Sequence, residues 1–486
     1  MNENFLPRLK SIDNVLNIWH ARGLSLKGKV TILKSLVLPK LLYPMSVLPI
    51  PSDIVKLVDD MVVDFMWSKR KPKIKRNVII QDIEYGGIKA PSFAGMVEAN
   101  RIMWIKRLMD PSTGKWKSVI EELIKPLSIT HLIECNLNQE YINSIPLVFY
   151  KQVFDLWNVT KSCPENVIDF KNQIIWNNKN IVLSKHPKKI KEKTSLFWQN
   201  FYKAGIVKVM DLYDTNGCFY NFIQLYNKYN VKSNFLQLHS LHKAIPTEWK
   251  LCIENEQITP RNLSQVNDIH VNTIIKTDNK TLIISEASTK KIYQHIILRN
   301  YVRPTALNRW MEQLCLDDSD WPNIFIQPYF STRETALQSF HYRIIHRIVP
   351  CKKWLFNQKV INSPNCLKCN QIDDIIHYFV ECREVKDFWK RLESWWNRTT
   401  GFDIVCTTKH ILFGVYYDNV YYSHVNYVLL LAKWFIYRQN IKDRPICFYN
   451  FLRELKEKLK LEEYICVKNN TSHHFHTKWN IVIDNL

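Results

Sequence analysis

The chain has 486 residues, a formal net charge of +22, 46% hydrophobic and 13% aromatic residues, and only 10 glycines. That length corresponds to two to four domains at about 100–200 residues each, and the apolar fraction excludes a disordered chain. The sequence holds no G-x-G-x-x-G and no G-x-x-x-x-G-K-[ST], which excludes nucleotide binding by those loops. The charge surplus points to a polyanion, nucleic acid first and an anionic membrane second.

Residues 5–66 read as helices punctuated by Pro39, Pro44, Pro49 and Pro51, with Ser52 placed as an N-cap. A dense basic run follows, containing Lys69, Arg70, Lys71, Lys73, Lys75 and Arg76. It is too short and too proline-broken for a helix, so it reads either as a solvated loop or, beside Trp67, as a phosphate-contacting one. The Tyr85-Gly86-Gly87 turn then precedes a helix ending near Asp110.

From 111 to 300 the pattern is mixed, with helices and short strands. A second basic run, Lys185 to Lys193, precedes an aromatic group of Phe197, Trp198, Phe201 and Tyr202. Residues 331–361 read as a basic amphipathic helix stopped by Pro350, then a second short helix. Further on, Val385, Phe388, Trp389, Leu392, Trp395 and Trp396 recur at helical spacing and predict a buried stripe. Two more helices are expected at 425–440 and 448–465. The most apolar run, 425–437, is too short to span a bilayer and contains Lys433, so it reads as a buried helix. The N-terminus lacks the pattern of a signal peptide, which sets the expectation of an intracellular protein, nuclear or cytoplasmic.

Of the 12 cysteines, only Cys366, Cys369 and Cys382 cluster, and with His377 they form C-x2-C-x7-H-x4-C. Nine scattered cysteines make a poor disulfide framework. The cluster suits a structural Zn2+, with a close Cys pair on a turn and a second pair near a helix. His377 and Cys382 are five residues apart, a rotation of about 140° on an ideal helix, so they share a face only if the helix starts late or bends. Four filled ligand positions leave none for catalysis. Asp373, Asp374 and Glu381 are the nearby carboxylates available to orient His377.

The segments TALQSFHYRIIHRIVP and NSPNCLKCNQIDDIIHYFVECREVKDFW together resemble the C-terminal zinc-binding segment of non-LTR (LINE-type) retrotransposon reverse transcriptases. LSLKGKVTILKSLVLPKLLYPMSVLPIP is similar to that family's segment at the start of the thumb, and YGGIKAPSF to the element that follows it. The resemblance runs through LQLHSLHKAIPTEWK, PTALNRW and the terminal helices, and is weakest over 111–190. It implies a predominantly α-helical, multidomain chain with a few short strands and a small CCHC zinc module. The expected divisions are a thumb-like region at 1–110, a connecting region at 111–330 and a zinc-bearing region at 331–486.

The family's polymerase site uses an aromatic-x-Asp-Asp turn between strands and an earlier aspartate. Asp59-Asp60 sits in an amphipathic helical pattern and Asp317-Asp318 in a loop, so neither fits. The family's endonuclease is not recognisable either. The expectation is therefore a non-catalytic part of such a protein, resembling its C-terminal half, that binds RNA and RNA/DNA template–primer largely independently of sequence. Lys27, Lys29, Lys34, Arg70, Lys73, Arg76, Arg343, His346 and Arg347 are the expected phosphate contacts, and the family's palm is a further expected partner. The alternative is a zinc-stabilised helical module that presents its surface to a protein.

Overall fold

A computed structural model describes residues 2–112, 114–184, 193–255, 274–277, 280–401, 403–417 and 420–483. The fold is predominantly α-helical. Among the described residues the sheet structure is three antiparallel pairs, Val182–Ser184 with Lys193–Ser195, Ile274–Thr277 with Lys280–Ile283, and Tyr416–Tyr417 with Val420–Tyr421. The chain forms two compact units, each discontinuous in sequence. One comprises Met1–Arg8, Leu41–Leu57 and Phe93–Arg299; the other comprises Leu9–Lys40, Val58–Ser92 and Asn300–Leu486.

In the first unit, Ala99, Ile102 and Ile105 of the Phe93–Met109 helix pack with Phe154 and Trp157 of Val148–Thr160 and with Ile292 and Ile296 of Thr289–Arg299. A second cluster gathers around Trp176, Phe201 and Leu225. Trp198 and Phe201 lie against Trp176, with centroids 5.9 and 6.0 Å away, so the aromatic stretch after the second basic run is core. The basic run itself, residues 185–192, lies outside the described residues. Arg101 is fully buried here. Its guanidinium donates to the carbonyls of Met45 at 2.6 Å and Leu48 at 2.7 Å, at the C-terminal end of the Pro39–Val47 helix, whose last carbonyls lack partners within the helix. Burial lowers its pKa to about 10, which leaves it charged at neutral pH.

The second unit is built around the Ser423–Ile441 helix, buried from Val425 through Lys433. The predicted stripe is core: Val385, Phe388, Trp389, Leu392, Trp395 and Trp396 of the Arg383–Thr400 helix are all buried in the same cluster as that central helix. Among the described residues no single helix is long and apolar enough to cross a membrane. Lys433 donates to the carbonyl of Leu412 at 2.7 Å, at the end of the Thr408–Phe413 helix, and lies 3.4 Å from His341 Nδ1. One expected cap is placed differently. The Ser52–Trp67 helix begins on Ser52 itself, and the first helical carbonyl is that of Pro51, which accepts from Val55 N–H at 3.2 Å.

Candidate metal centre and basic surface

Cys366, Cys369, His377 and Cys382 converge in the second unit, with one ligand atom from each lying within 4.8 Å of the others. The first pair sits on a tight turn. Asn370 N–H bonds to the Cys366 carbonyl at 2.9 Å, Cys366 N–H to that of Gln371 at 2.7 Å, and Asn370 takes φ +57°, a left-handed conformation that asparagine tolerates. The second pair solves the rotation problem by widening the helix. His377–Glu381 is a π-helical turn, and Cys382 N–H reaches back five residues to the His377 carbonyl at 3.0 Å. An i→i−5 closure stacks residues five apart, so the two side chains share a face that an α-helix would deny them.

The separations fit a tetrahedral ion. Metal–sulfur bonds of about 2.3 Å put two sulfurs of a tetrahedron about 3.8 Å apart. Cys366 Sγ lies 4.0 Å from Cys382 Sγ, and Cys369 Sγ 3.3 Å from His377 Nε2. His377 and Cys382 are buried; Cys366 and Cys369 are half-buried and rest on the edge of the main core. Burial first, and then the neighbouring Cys366 and Cys369, pushes the Cys382 thiol up to about 12. Three cysteines and a histidine so close together can hold a cation. The carboxylates act on backbone: Asp374 Oδ1 accepts from Ile376 and His377 N–H at 3.1 Å each, and Asp373 Oδ2 from Lys352 N–H at 3.0 Å. Glu381 is exposed. Lys368 pairs with Glu384 at 2.6 Å, tying the cysteine turn to the Arg383–Thr400 helix.

The first basic run is a shaped loop. At the end of the Ser52–Trp67 helix, Ser68 and Lys69 take φ +55° and +59°, and Lys69 N–H reaches back to the Asp64 carbonyl at 2.8 Å, as in a Schellman closure. Lys29, expected to touch phosphate, has another task. It is buried, and its ammonium donates to the carbonyls of Phe65 at 2.9 Å and Met66 at 3.1 Å and to Ser68 Oγ at 2.6 Å. It satisfies the open carbonyls of the last helical turn and fixes the start of the loop. Arg76 at the far end pairs with buried Asp59. Asp59 and Asp60 thus lie on a helix, while Asp317 caps the Asp318–Asp320 turn.

His346 is the second correction. It is buried, and its ring Nε2 bonds to the Gly86 carbonyl at 3.0 Å; burial lowers its pKa to about 4, so it carries no charge for phosphate at neutral pH. That carbonyl belongs to the Tyr85-Gly86-Gly87 turn. Gly86 takes φ +81°, and a Cβ on Gly87 would stand 2.0 Å from the Gln81 carbonyl oxygen, so both positions require glycine. Arg347 is half-buried, its guanidinium 4.0 Å above Trp310 and bonded to Gln313 at 2.6 Å. Lys27 donates to Gln338 at 2.8 Å and lies over Tyr329; with exposed Lys34 and with Lys89 it borders a shallow pocket.

Arg70, Lys73 and Arg343 are the expected contacts that the fold gathers. The ammonium of Lys73 is pulled below the ordinary lysine range first by partial burial, then by the charges of Arg343 and Arg70. It also sits 4.5 Å over the ring of Trp354, a residue the sequence reading did not single out. Trp354 lies on the Lys352–Asn357 helix, whose first two N–H groups bond to Asp373, next to the metal ligands in sequence. No known protein-family model matches the sequence.

Proposed function

We propose that this chain is the nucleic-acid-binding, non-catalytic part of a reverse transcriptase of the non-LTR retrotransposon type, acting inside the cell. The observation that carries this reading is Lys73, whose ammonium sits 4.5 Å over Trp354 and feels the charges of Arg70 and Arg343, from segments more than 250 residues apart in a chain of net charge +22. Like charges repel, so a fold that collects three of them beside an aromatic ring supports a polyanionic partner. Phosphates neutralise the cations, and an aromatic face accepts an unpaired base.

The Cys3His set holds a structural Zn2+. Three sulfurs and one imidazole nitrogen at tetrahedral spacing favour zinc among the common divalent ions, and the ion's chemistry is to fix the two ligand turns against each other. The metal supports the interface through backbone. The ligand segment holds Asp373, Asp373 holds the start of the Lys352–Asn357 helix, and Trp354 on that helix faces Lys73. Binding is expected to be largely independent of sequence, because these side chains meet backbone and base faces. The test is the affinity of the zinc-loaded chain for single-stranded RNA as a function of salt. Each lost phosphate contact lowers the slope of log K against log salt by about 0.7, so Arg70→Ala/Lys73→Ala/Arg343→Ala should lower it by about 2. A salt-independent affinity would sink the reading. It would leave the alternative of a protein-binding module, which the exposed apolar Phe222, Ile223, Phe235 and Leu236 of the first unit favour.

A further inference from the structure

Beside the basic loop, the second unit contains a cleft of about 370 Å³. It sits at the lower end of the volumes that seat small ligands, about 300–1,000 Å³. Its lining includes apolar Trp67, Pro72, Ile74 and Pro304. It also includes the cations Lys73, Lys75, Arg76 and Arg303, and no carboxylate. Two of these charges are already matched from outside the cleft, Arg76 by Asp59 and Arg303 by Asp318. Among the described residues no carboxylate pairs with Lys73 or Lys75. His346 also lines the cleft and is neutral, because its ring is buried against Gly86. Two exposed lysines in the lining of a partly apolar recess suit an anion that carries a flat apolar body. They do not suit a bare inorganic ion, which has no use for the apolar wall, or a metal, which the lysines repel.

We propose that this cleft seats one unpaired nucleotide, with its base against Trp67 and the prolines and its phosphate at Lys73 and Lys75. The inference rests on the nucleic-acid reading above and adds a defined site to it. The volume admits one base with its sugar and excludes a duplex. Lys73 is shared between the cleft and the Arg70–Arg343 group, so a strand lying on that group passes the cleft mouth. A base turned out of such a strand has both parts of its chemistry met, the ring by apolar contact and the phosphate by charge.

The test uses the full zinc-loaded chain and four probes: a fluorescent penta-adenylate RNA, the same backbone with abasic residues, adenosine 5′-monophosphate and inorganic phosphate. Thr305 lines the cleft and is exposed, so Thr305→Trp fills the recess while leaving every charge in place. The intact RNA should bind about tenfold more tightly than the abasic strand, the gain expected from one stacked base. Thr305→Trp should narrow that gap with an unchanged salt slope, leaving only what a base on Trp354 contributes, and Lys75→Glu should weaken both. Adenosine monophosphate should compete and phosphate should not. Equal binding of intact and abasic strands by the natural chain, or a gap undiminished in Thr305→Trp, overturns the cleft while leaving the basic surface standing. If no RNA binds at all, the general reading falls. In that case a saturable adenosine monophosphate signal lost in Thr305→Trp would keep the cleft as a free-nucleotide site, and no signal would overturn both.

Discussion

Lys29→Met tests the account of how the basic loop is built. The substitution keeps most of the side-chain volume and removes an ammonium that makes three hydrogen bonds at 2.6–3.1 Å. A hydrogen bond to a charged group contributes about 1.5–3 kcal/mol net, so the gross loss is about 5–9 kcal/mol. Removing the buried charge gives back several kcal/mol of desolvation, since burial already lowers the Lys29 pKa. What persists is the cost of leaving the Met66 carbonyl without its donor, about 1–3 kcal/mol where water cannot enter, because the Phe65 carbonyl keeps Ser68 N–H at 3.3 Å. Ser68 Oγ is half-buried and recovers a water partner. The net expectation is a destabilisation of about 1–3 kcal/mol, read as a lower urea midpoint with an unchanged m-value. RNA affinity should fall as well, because the loop carrying Arg70 and Lys73 loses its anchor, although Lys29 itself reaches no ligand. A lysine in direct phosphate contact would behave in the opposite way, with normal stability and a salt slope lower by about 0.7. Stability within about 0.5 kcal/mol of the natural chain would refute the anchoring role.

The remaining expectations concern the metal, the turn and pH. Cys366→Ser and His377→Ala should each abolish stoichiometric zinc retention, measured by atomic absorption after dialysis. They should also lower RNA affinity through the Lys352–Asn357 helix; full zinc content in either variant would exclude the ligand set. Gly87→Ala forces a Cβ to within 2.0 Å of a backbone oxygen, so the Gln81–Gly87 turn must open. A loss of more than about 2 kcal/mol is expected from chemical denaturation, and an unaffected midpoint would show that the turn yields freely. His131 and His346 are both held near pKa 4 by burial, against an ordinary value of 6.5. The unfolded chain therefore binds more protons between pH 4 and 6.5, and stability rises with pH across that window. The gain is at most about 3 kcal/mol per histidine, and His346→Gln should flatten part of it in urea titrations at stepped pH.

Both the helical class and the Cys3His cluster that could hold a metal could be read from the chain. The stripe from Val385 to Trp396 announces its helix because burial on one face imposes a 3.6-residue period on the sequence. The C-x2-C pair with a later histidine and cysteine marks a candidate metal site because that spacing lets four N/S donors converge. His377 and Cys382 can be picked out as candidate ligands, but not their geometry. The extra residue of a π turn leaves no mark in composition, and only the Cys382–His377 backbone bond shows how five residues come to one face.

The basic residues divide along a different line. By sequence Lys29, Lys73 and His346 are alike, each a basic residue expected to meet phosphate. The fold buries Lys29 under a helix end and makes it a cap, buries His346 against Gly86 and neutralises it, and leaves Lys73 exposed beside Trp354, Arg70 and Arg343. A charge's role depends on what else shares its local dielectric, and those neighbours lie far off in sequence, 36 to 39 residues for Lys29 and 260 for His346. Sequence by itself determined which residues carry charge, which faces are apolar and which four side chains can bind a metal. Only the tertiary structure decided which charges are satisfied inside the protein and which remain available to a ligand.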